Sequence, residues 1–338
     1  MNKNIFFFLL AFSFMFFSCG KNNDIKNGNS TGTKVGLVFD VGGRGDKSFN
    51  DAAYKGLEKA KNEFGIEFEV IDPGDGSDRE AALRKLAANQ DIGLVFGIGF
   101  IFTDDITKIA NDFPNKKFAC VDYSINPDNP IPANLIALEF KEDEGSFLVG
   151  AIAAMFSKSG KIGFVGGMES SLIKKFERGF IEGAKYINPD IKVLSGYVGV
   201  TGDGFKNPSK GKEIALTQYQ NGADVVYHAS GLSGIGVFEA AKEQKKYAIG
   251  VDLDQYNEAP GFVLTSMVKK VDEVVYITVK EFKENNFKSG IKTFGLSDKG
   301  VDFVYDNNNK TLITNDIIKK AEEIRQKLIN GDIVVPAN

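Results

Sequence analysis

Short apolar runs alternate along the chain with stretches in which apolar residues recur every three or four positions. Between residues 34 and 140 the runs predict strands at 34–40, 67–72, 91–97, 117–122 and 135–140, and the periodic stretches predict helices at 49–64, 79–89 and 103–112. In the first of these helices, Ala53, Leu57 and Ala60 fall on one face. Strands that read as continuous apolar runs, each followed by a helix, indicate a parallel sheet covered on both faces.

The same order of elements then begins again. Strands are predicted at 161–167, 191–200, 223–229, 247–253, 261–266 and 301–305, and helices from Leu172, Lys210 and Ile235 and at 272–285 and 315–328. We expect the chain to cross between two lobes near residues 139–144, 252 and 295. The prediction is an α/β fold of two Rossmann-like lobes, 34–139 with 253–294 and 140–252 with 295–338, joined by a hinge with a ligand cleft between them.

The first residues predict export. Residues 5–17 form an uncharged, Phe-rich run that is shorter than the roughly 20 residues of a membrane span but has the length of a signal-peptide core. The chain turns polar after Cys19, which resembles a lipoprotein signal, although Phe16 and Phe17 depart from the usual small residues. We therefore expect a signal peptide at 1–18, a lipid on Cys19, a flexible tether over 19–33, and anchoring to a membrane at the periplasmic face or cell surface. The alternative is an ordinary secretory signal with a chance cysteine.

Composition removes several classes of function. A formal net charge of −4 does not favour nucleic-acid binding. His228 is the only histidine, which excludes zinc sites built on histidine pairs and most histidine-based triads. Cys120 lies in an apolar run and is expected to be a buried thiol without a disulfide partner. We expect no metal and no cofactor.

Side chains at the ends of the predicted strands supply the candidate chemistry. Asp40, Asp122 and Asp252 each end a strand, and the carboxyl ends of parallel strands converge on one crevice. Each could instead cap the next turn or helix. The glycines from Gly231 onward do not match a nucleotide fingerprint and favour a tight turn, although the backbone N–H of Gly231 could meet a ligand hydroxyl.

Aromatic and amide residues near these ends suit a small planar polar ligand. Phe49 and Asn50 start the first helix, and Phe205 lies in a polar loop that would not bury it locally. Phe176 is a weaker candidate for the rim of the cleft. Lys269 follows an apolar strand close to an expected crossing and could reach inward, although an isolated lysine is more often solvated.

Four segments in order resemble the basic membrane protein lipoproteins, also called the purine nucleoside receptor family. They are Asp40 with 46–50 (DKSFN), 144–150 (EGSFLVG), 250–255 (GVDLDQ) and 264–269 (LTSMVK). The resemblance extends from about residue 34 to residue 336 and is close to the spirochaetal members. It implies a type I periplasmic-binding fold and the substrate-binding lipoprotein of an ABC transporter, a monomer that delivers its ligand to a membrane permease.

The resemblance also implies roles for single residues. Phe49 and Phe205 would sandwich the purine of adenosine, guanosine or inosine, and Asn50 and Asp122 would bind the base edge with Asp40 nearby. The ribose hydroxyls would be held by Asp252 and Lys269, with the backbone at Gly231.

Two other functions remain open from the sequence. A nucleoside-cleaving enzyme could use an acidic cleft, but no nucleophile–base pair or metal cluster is visible. A surface adhesin could use the tripeptide Arg44-Gly45-Asp46, which recurs by chance in many proteins.

Overall fold

The computed structural model describes residues 33–74 and 77–336. The expected signal peptide, Cys19 and all of the tether except Thr33 lie outside these residues. Twelve described strands are β1 Lys34–Val38, β2 Phe68–Ile71, β3 Ile92–Ile98, β4 Lys117–Val121, β5 Leu135–Phe140, β6 Lys161–Met168, β7 Lys192–Gly199, β8 Val225–Ala229, β9 Tyr247–Asp252, β10 Val263–Lys269, β11 Gly290–Phe294 and β12 Val301–Phe303. The described α-helices are α1 Phe49–Phe64, α2 Arg79–Ala88, α3 Thr103–Asp112, α4 Glu142–Phe156, α5 Ser171–Ile187, α6 Pro208–Gln220, α7 Gly234–Gln244, α8 Val271–Lys283 and α9 Asn315–Asn330.

The strands form two six-stranded sheets, one in each lobe. The first has the order β11-β5-β4-β3-β1-β2 and the second the order β12-β10-β9-β8-β6-β7. All pairs are parallel except β10 with β12. The two lobes therefore repeat one strand order, and β4 of the first corresponds to β9 of the second.

Alternate residues of each central strand pack on opposite faces. In β1, Leu37 joins the cluster that contains Leu57 of α1, whereas Val38 joins the cluster that contains Leu83 of α2. This two-sided burial confirms the prediction drawn from the continuous apolar runs. No helix among the described residues is both long enough and apolar enough to cross a bilayer.

The expected lobe boundary at residue 253 is wrong. Residues of β10 pair with β9 on one side and β12 on the other, so this strand belongs to the second sheet. The chain returns to the first lobe only after Lys269, where α8 packs on α1 through the stacked rings of Phe64 and Tyr276. The misplacement arose because the polar segment after Asp252 contains only a short 3-10 helix, Tyr256–Glu258, which leads back into the same sheet.

Two elements were not predicted from the sequence. Helix α4 is buried almost all round, so its apolar residues show no helical stripe. Strand β11 lies at a sheet edge and alternates half-buried with exposed residues. Both flank crossings between the lobes: β5 runs into α4, and β11 leads to β12.

Candidate functional site

A cavity lies between the carboxyl ends of the two sheets. All nine residues proposed from the sequence line it, namely Asp40, Phe49, Asn50, Asp122, Phe176, Phe205, Gly231, Asp252 and Lys269. The carboxyl ends of the strands from both lobes therefore meet at this one cavity, as the sequence predicted.

Asp122 and Asp252 occupy equivalent positions in the two lobes. Asp122 follows β4, Asp252 ends β9, and their φ angles are +61° and +65°. A left-handed backbone is uncommon for residues other than glycine, and such conformations concentrate at ligand sites. The two carboxylates thus approach one cavity from opposite sheets with the same local backbone.

The start of α1 is fixed by a buried aspartate. The Asp46 carboxylate accepts hydrogen bonds from the backbone N–H groups of Ser48 (2.9 Å), Asn50 (2.9 Å) and Asp51 (3.1 Å). It therefore caps the helix in place of Ser48, whose own side chain makes no capping bond. Because Phe49 is the first residue of this helix, the cap fixes the backbone that carries its ring.

Asn50 is held at both ends of its amide. Its Oδ1 accepts the backbone N–H of Asp40 (2.8 Å), and its Nδ2 donates to Asp46 (3.1 Å). One amide hydrogen and one lone pair remain for another partner.

Asp40 lies where β1 turns towards the helix. Its Oδ1 accepts the N–H of Val41 at 2.7 Å. Its Oδ2 fills the space beside Gly99, where an added Cβ would be 2.2 Å away, and Gly99 has a φ of +110°. Only glycine meets both conditions, so the two strand ends close on each other here.

Aromatic rings enter the cavity from both lobes. Phe49 comes from the first lobe, and Phe205 and Phe176 come from the second. Phe205 ends a short 3-10 helix, and its ring meets that of Phe100 edge-on, at 6.4 Å between centroids and 74° between planes. Phe100 was missed because it directly follows β3 in an apolar stretch that resembles core.

Lys269 is a buried ammonium group among carboxylates and rings. Its Nζ lies 2.6 Å from Asp122 and 3.0 Å from Glu142, and between 5.0 and 5.4 Å from the ring centroids of Phe49, Phe140 and Phe176. Burial lowers its pKa, but Asp122, Glu142 and Asp252 outweigh burial and raise that pKa above its ordinary value. The lysine therefore carries a full positive charge in the cavity.

Burial gives the carboxylates of the site unusual acidities. Burial raises the pKa of Asp40 and of Asp252 to about 7. The Val41 N–H partly offsets this rise at Asp40, and the Lys269 ammonium partly offsets it at Asp252. Burial also raises the pKa of Asp122 and of Asp46 to about 6, although Lys269 lowers the first and three backbone N–H groups lower the second. These groups are suited to accept hydrogen bonds from a bound molecule that replaces water.

Among the residues that the structure describes, three polar contacts join the lobes around the cavity. The Ser48 hydroxyl donates to Oδ2 of Asp252, Gln255 donates through Nε2 to the backbone oxygen of Lys47 (2.9 Å), and Lys269 meets Asp122. Ser48 and Glu142 were not among the predicted residues, because their roles depend on closure of the lobes and on a helix that the sequence did not reveal.

His228 lies behind the cavity wall. Its Nε2 donates to Oε1 of Gln255 (3.0 Å), since that oxygen also accepts the N–H of Val251, and its Nδ1 accepts from the Ser230 hydroxyl (3.3 Å). Burial lowers its pKa to about 4. The imidazole is thus neutral at physiological pH and supports Ser230, which lines the cavity.

The tripeptide at residues 44–46 is not presented for adhesion. The Asp46 side chain is turned inward and the residue is 1% exposed. The Arg44 guanidinium lies 3.4 Å from the ring centroid of Tyr54 and is paired with Asp51. The hypothesis that the protein is an adhesin that acts through this tripeptide is therefore not supported.

Known proteins are similar to this chain over nearly all of its length. Residues 33–338 match the family model described as Bmp, ABC transporter substrate-binding protein PnrA-like. The chain is 38% identical to basic membrane protein A of Borreliella burgdorferi, over all of this chain and 96% of that protein, and 34% identical to a CD4+ T-cell-stimulating antigen of Listeria innocua, over 94% and 93%. A solved ABC transporter solute-binding protein of Aeropyrum pernix is 28% identical, with a TM-score of 0.83 over 90% of this chain and 94% of that one. The chain belongs to the Bmp family of PnrA-like ABC transporter substrate-binding proteins, and its two lobes form a type I periplasmic-binding fold.

Proposed function

We propose that this substrate-binding protein captures purine nucleosides between its lobes and delivers them to the permease of an ABC transporter. The observation that carries the proposal is one cavity with aromatic rings from both lobes and a buried carboxylate from each sheet. Phe49 and Phe205 provide apolar faces for a flat base, and stacking on an aromatic ring contributes about 1–3 kcal/mol per base. A purine nucleoside has both a flat ring system, which the aromatic rings can contact, and a polar sugar, which the buried carboxylates can bind.

Base and sugar are recognised by different polar groups in this proposal. Asn50 and Asp122 bind the base edge, with Asp40 beside them. Asp252 and Lys269 bind the ribose hydroxyls, with the backbone of Gly231 nearby. A ligand that lacks the diol leaves the buried Asp252 carboxylate without that partner, which sites of this kind reject strongly.

The charges of the cavity favour nucleosides over nucleotides. Asp40, Asp46, Asp122 and Asp252 line it, and Lys269 is the only lysine or arginine among the described residues that do so. A phosphate group would meet more negative than positive charge, and like charges close together are unfavourable. Closure of the lobes around the neutral ligand then presents one surface to the permease.

The proposal is tested by calorimetric titration of purified, ligand-stripped protein. The panel is adenosine, guanosine and inosine, with their free bases, ribose and the 5′-monophosphates. We expect tight binding of the nucleosides only. Binding of ribose without any nucleoside would overturn the assignment, and release of hypoxanthine from inosine would point to an enzyme instead.

We also propose that Cys19 carries lipid and that the residues after it tether the binding lobes to a membrane. This rests on the sequence of the first residues and on family membership. Metabolic labelling with a radioactive fatty acid should mark the wild-type protein but not Cys19→Ala, with both expressed at equal levels. Equal labelling of the two proteins would contradict the anchor.

A further inference from the structure

Glu142 is a fully buried carboxylate at a crossing between the lobes. It is the first residue of α4, directly after the chain leaves β5, and has no exposed surface. Its Oε1 lies 3.0 Å from Lys269 Nζ, and its Oε2 lies 3.6 Å from Lys175 Nζ, yet neither oxygen has a well-aligned hydrogen bond among the described residues. A buried carboxylate in this state is retained only if opposite charge offsets the loss of water.

The offsetting charge is mainly Lys269. The N-terminus of α4 also favours a negative charge in its first turn. Lys175 contributes less, because its side chain is 39% exposed and its ammonium group is further away. The ion pair of Glu142 with Lys269 is thus closer and more buried than its ion pair with Lys175, and both Glu142 and Lys269 belong to the second lobe.

Lys269 has one carboxylate partner from each lobe. Asp122 comes from the end of β4 in the first lobe, and Glu142 comes from α4 in the second. When the lobes separate, Asp122 moves with the first sheet while Glu142 stays with Lys269. If the lobes move as rigid bodies, the pair with Glu142 would persist when the cleft opens, whereas the pair with Asp122 would depend on closure.

Glu142 does not line the nucleoside cavity. It lines a neighbouring cavity that shares Asp122 and Leu172 with the first. An effect on a ligand therefore passes mainly through Lys269, the residue of the first cavity with which Glu142 forms an ion pair.

We propose that Glu142 is a positioning residue that holds the Lys269 ammonium at the ligand cavity in both the open and the closed protein. This inference rests on the proposed nucleoside function, since it concerns the lysine assigned to the ribose. Without Glu142, the lysine of the open form would keep only Asp252 as a buried carboxylate in its own lobe, with which it forms no ion pair, and would turn away from the incoming ligand. Binding would then require the side chain to be reordered.

The test compares Glu142→Gln with Glu139→Gln. Glu139 also lines the neighbouring cavity but forms no ion pair with Lys269. Stopped-flow binding of the best nucleoside should show an affinity at least about tenfold lower for Glu142→Gln, as expected when one partner of a buried pair is removed. Glu139→Gln should stay within about twofold of wild type. Equal affinities for Glu142→Gln and wild type would overturn the proposal.

A pH profile separates positioning from a general loss of stability. The charged groups that face Lys269 are Asp122 from β4, Asp252 from β9 and Glu142 from α4, with Lys175 of α5 beyond Glu142. Removal of Glu142 takes away one of three carboxylates that keep the lysine charged. The alkaline fall in affinity should therefore begin at a lower pH in Glu142→Gln than in wild type. An unchanged profile would count against the proposal.

Glu142→Asp keeps the assay decisive if the glutamine variant does not fold. This variant retains the charge at a greater distance, and we expect an intermediate affinity with a near-normal pH profile. Full wild-type affinity would show that the exact placement of the carboxylate is unimportant and would contradict positioning. If wild-type protein binds no nucleoside, the proposed function fails; if wild type binds and the Glu142 variants are normal, only this inference fails.

Discussion

Single residues decide what the cavity can recognise. Phe49 and Phe205 contribute faces, which every purine shares, whereas Asp122, Asp252 and Lys269 contribute directed polar contacts. Affinity and selectivity should therefore be separable by mutation.

Replacement of Phe49 by alanine should weaken all purine nucleosides alike. Loss of one stacking face corresponds to about 1–3 kcal/mol, regardless of the substituents on the base. Calorimetry with adenosine, guanosine and inosine measures the effect. Phe64→Ala is the control, because that ring stacks on Tyr276 between α1 and α8 and does not line the cavity. A loss confined to one nucleoside would argue against stacking at Phe49.

Replacement of Asp252 by asparagine should affect ribosides most. The amide preserves the size of the side chain but removes the charge that a ribose diol would pair with, and hydrogen bonds to a charged group contribute about 1.5–3 kcal/mol. Dissociation constants for adenosine and 2′-deoxyadenosine, each measured on wild type and variant, give the comparison. If both ligands lose the same affinity, Asp252 does not contact the 2′-hydroxyl.

Most of the cavity lining followed from the sequence, and the exceptions have physical reasons. Asp40, Asp122 and Asp252 were found because strand ends converge in any sheet of this kind. Ser48 could not be found in this way, because its partner Asp252 is about 200 positions distant and belongs to the other lobe. Contacts that form only when two lobes meet produce no periodic pattern of apolar and polar residues in the sequence.

Among the elements, the turn before α1 joins ligand recognition to closure. Asp46 and Asp51 hold the turn from inside by accepting its backbone N–H groups. The turn then offers the Ser48 hydroxyl and the Lys47 carbonyl to Asp252 and Gln255 of the second lobe. The helix that starts here carries Phe49, so its position and the closure contacts depend on the same few residues.

Replacement of Ser48 by alanine should shorten the lifetime of the complex. The variant loses one contact to a charged group across the cleft, which corresponds to roughly tenfold faster dissociation, with little change in the association rate. Stopped-flow displacement measures both rates. Lys47→Asn is the matched control, since its exposed side chain makes no contact across the cleft and asparagine tolerates the positive φ of this position. A fall in association rate alone would refute the closure role.

The sequence predicted strands and amphipathic helices better than the elements around the hinge. The repeated order of strand and helix gave the fold class, because central parallel strands are apolar on both faces. Helix α4 was not predicted because it is buried on almost all sides and so lacks an apolar stripe. Strand β11 was not predicted because its residues alternate only between half-buried and exposed. The position of β10 could not be read from its own residues, since an apolar strand would suit either sheet.

At the scale of the whole molecule, buried carboxylates make stability depend on pH. The pKa values of Asp40 and Asp252 rise to about 7, and those of Asp46 and Asp122 to about 6, from 3.8. Since each folded pKa exceeds the unfolded one, the folded protein binds more protons between these values, and stability falls as pH rises. Hydrogen bonds from Lys34 and Lys108 lower the pKa of the exposed acids Glu67 and Glu80, which act in the opposite direction, but solvent screening keeps that contribution small.

The ligand-free protein should therefore lose stability between about pH 5 and pH 7. One pH unit of difference between folded and unfolded pKa corresponds to about 1.4 kcal/mol, so the free energy of unfolding should fall by several kcal/mol. Urea unfolding at a series of pH values measures the fall, and Asp252→Asn should reduce it. A stability that rises through this range would show that the carboxylates are stabilised as anions in the ligand-free form.

The path of the chain through the two lobes also governs when the protein can fold. The first sheet includes β11 and the second includes β12, so the first is complete only when residue 294 has been synthesised and the second only at residue 303. Contacts between residues this distant in sequence form slowly, because the entropy cost of closing a long loop comes before the stabilising contacts are made. The late return of the chain to both sheets thus delays completion of both lobes until most of the protein is present.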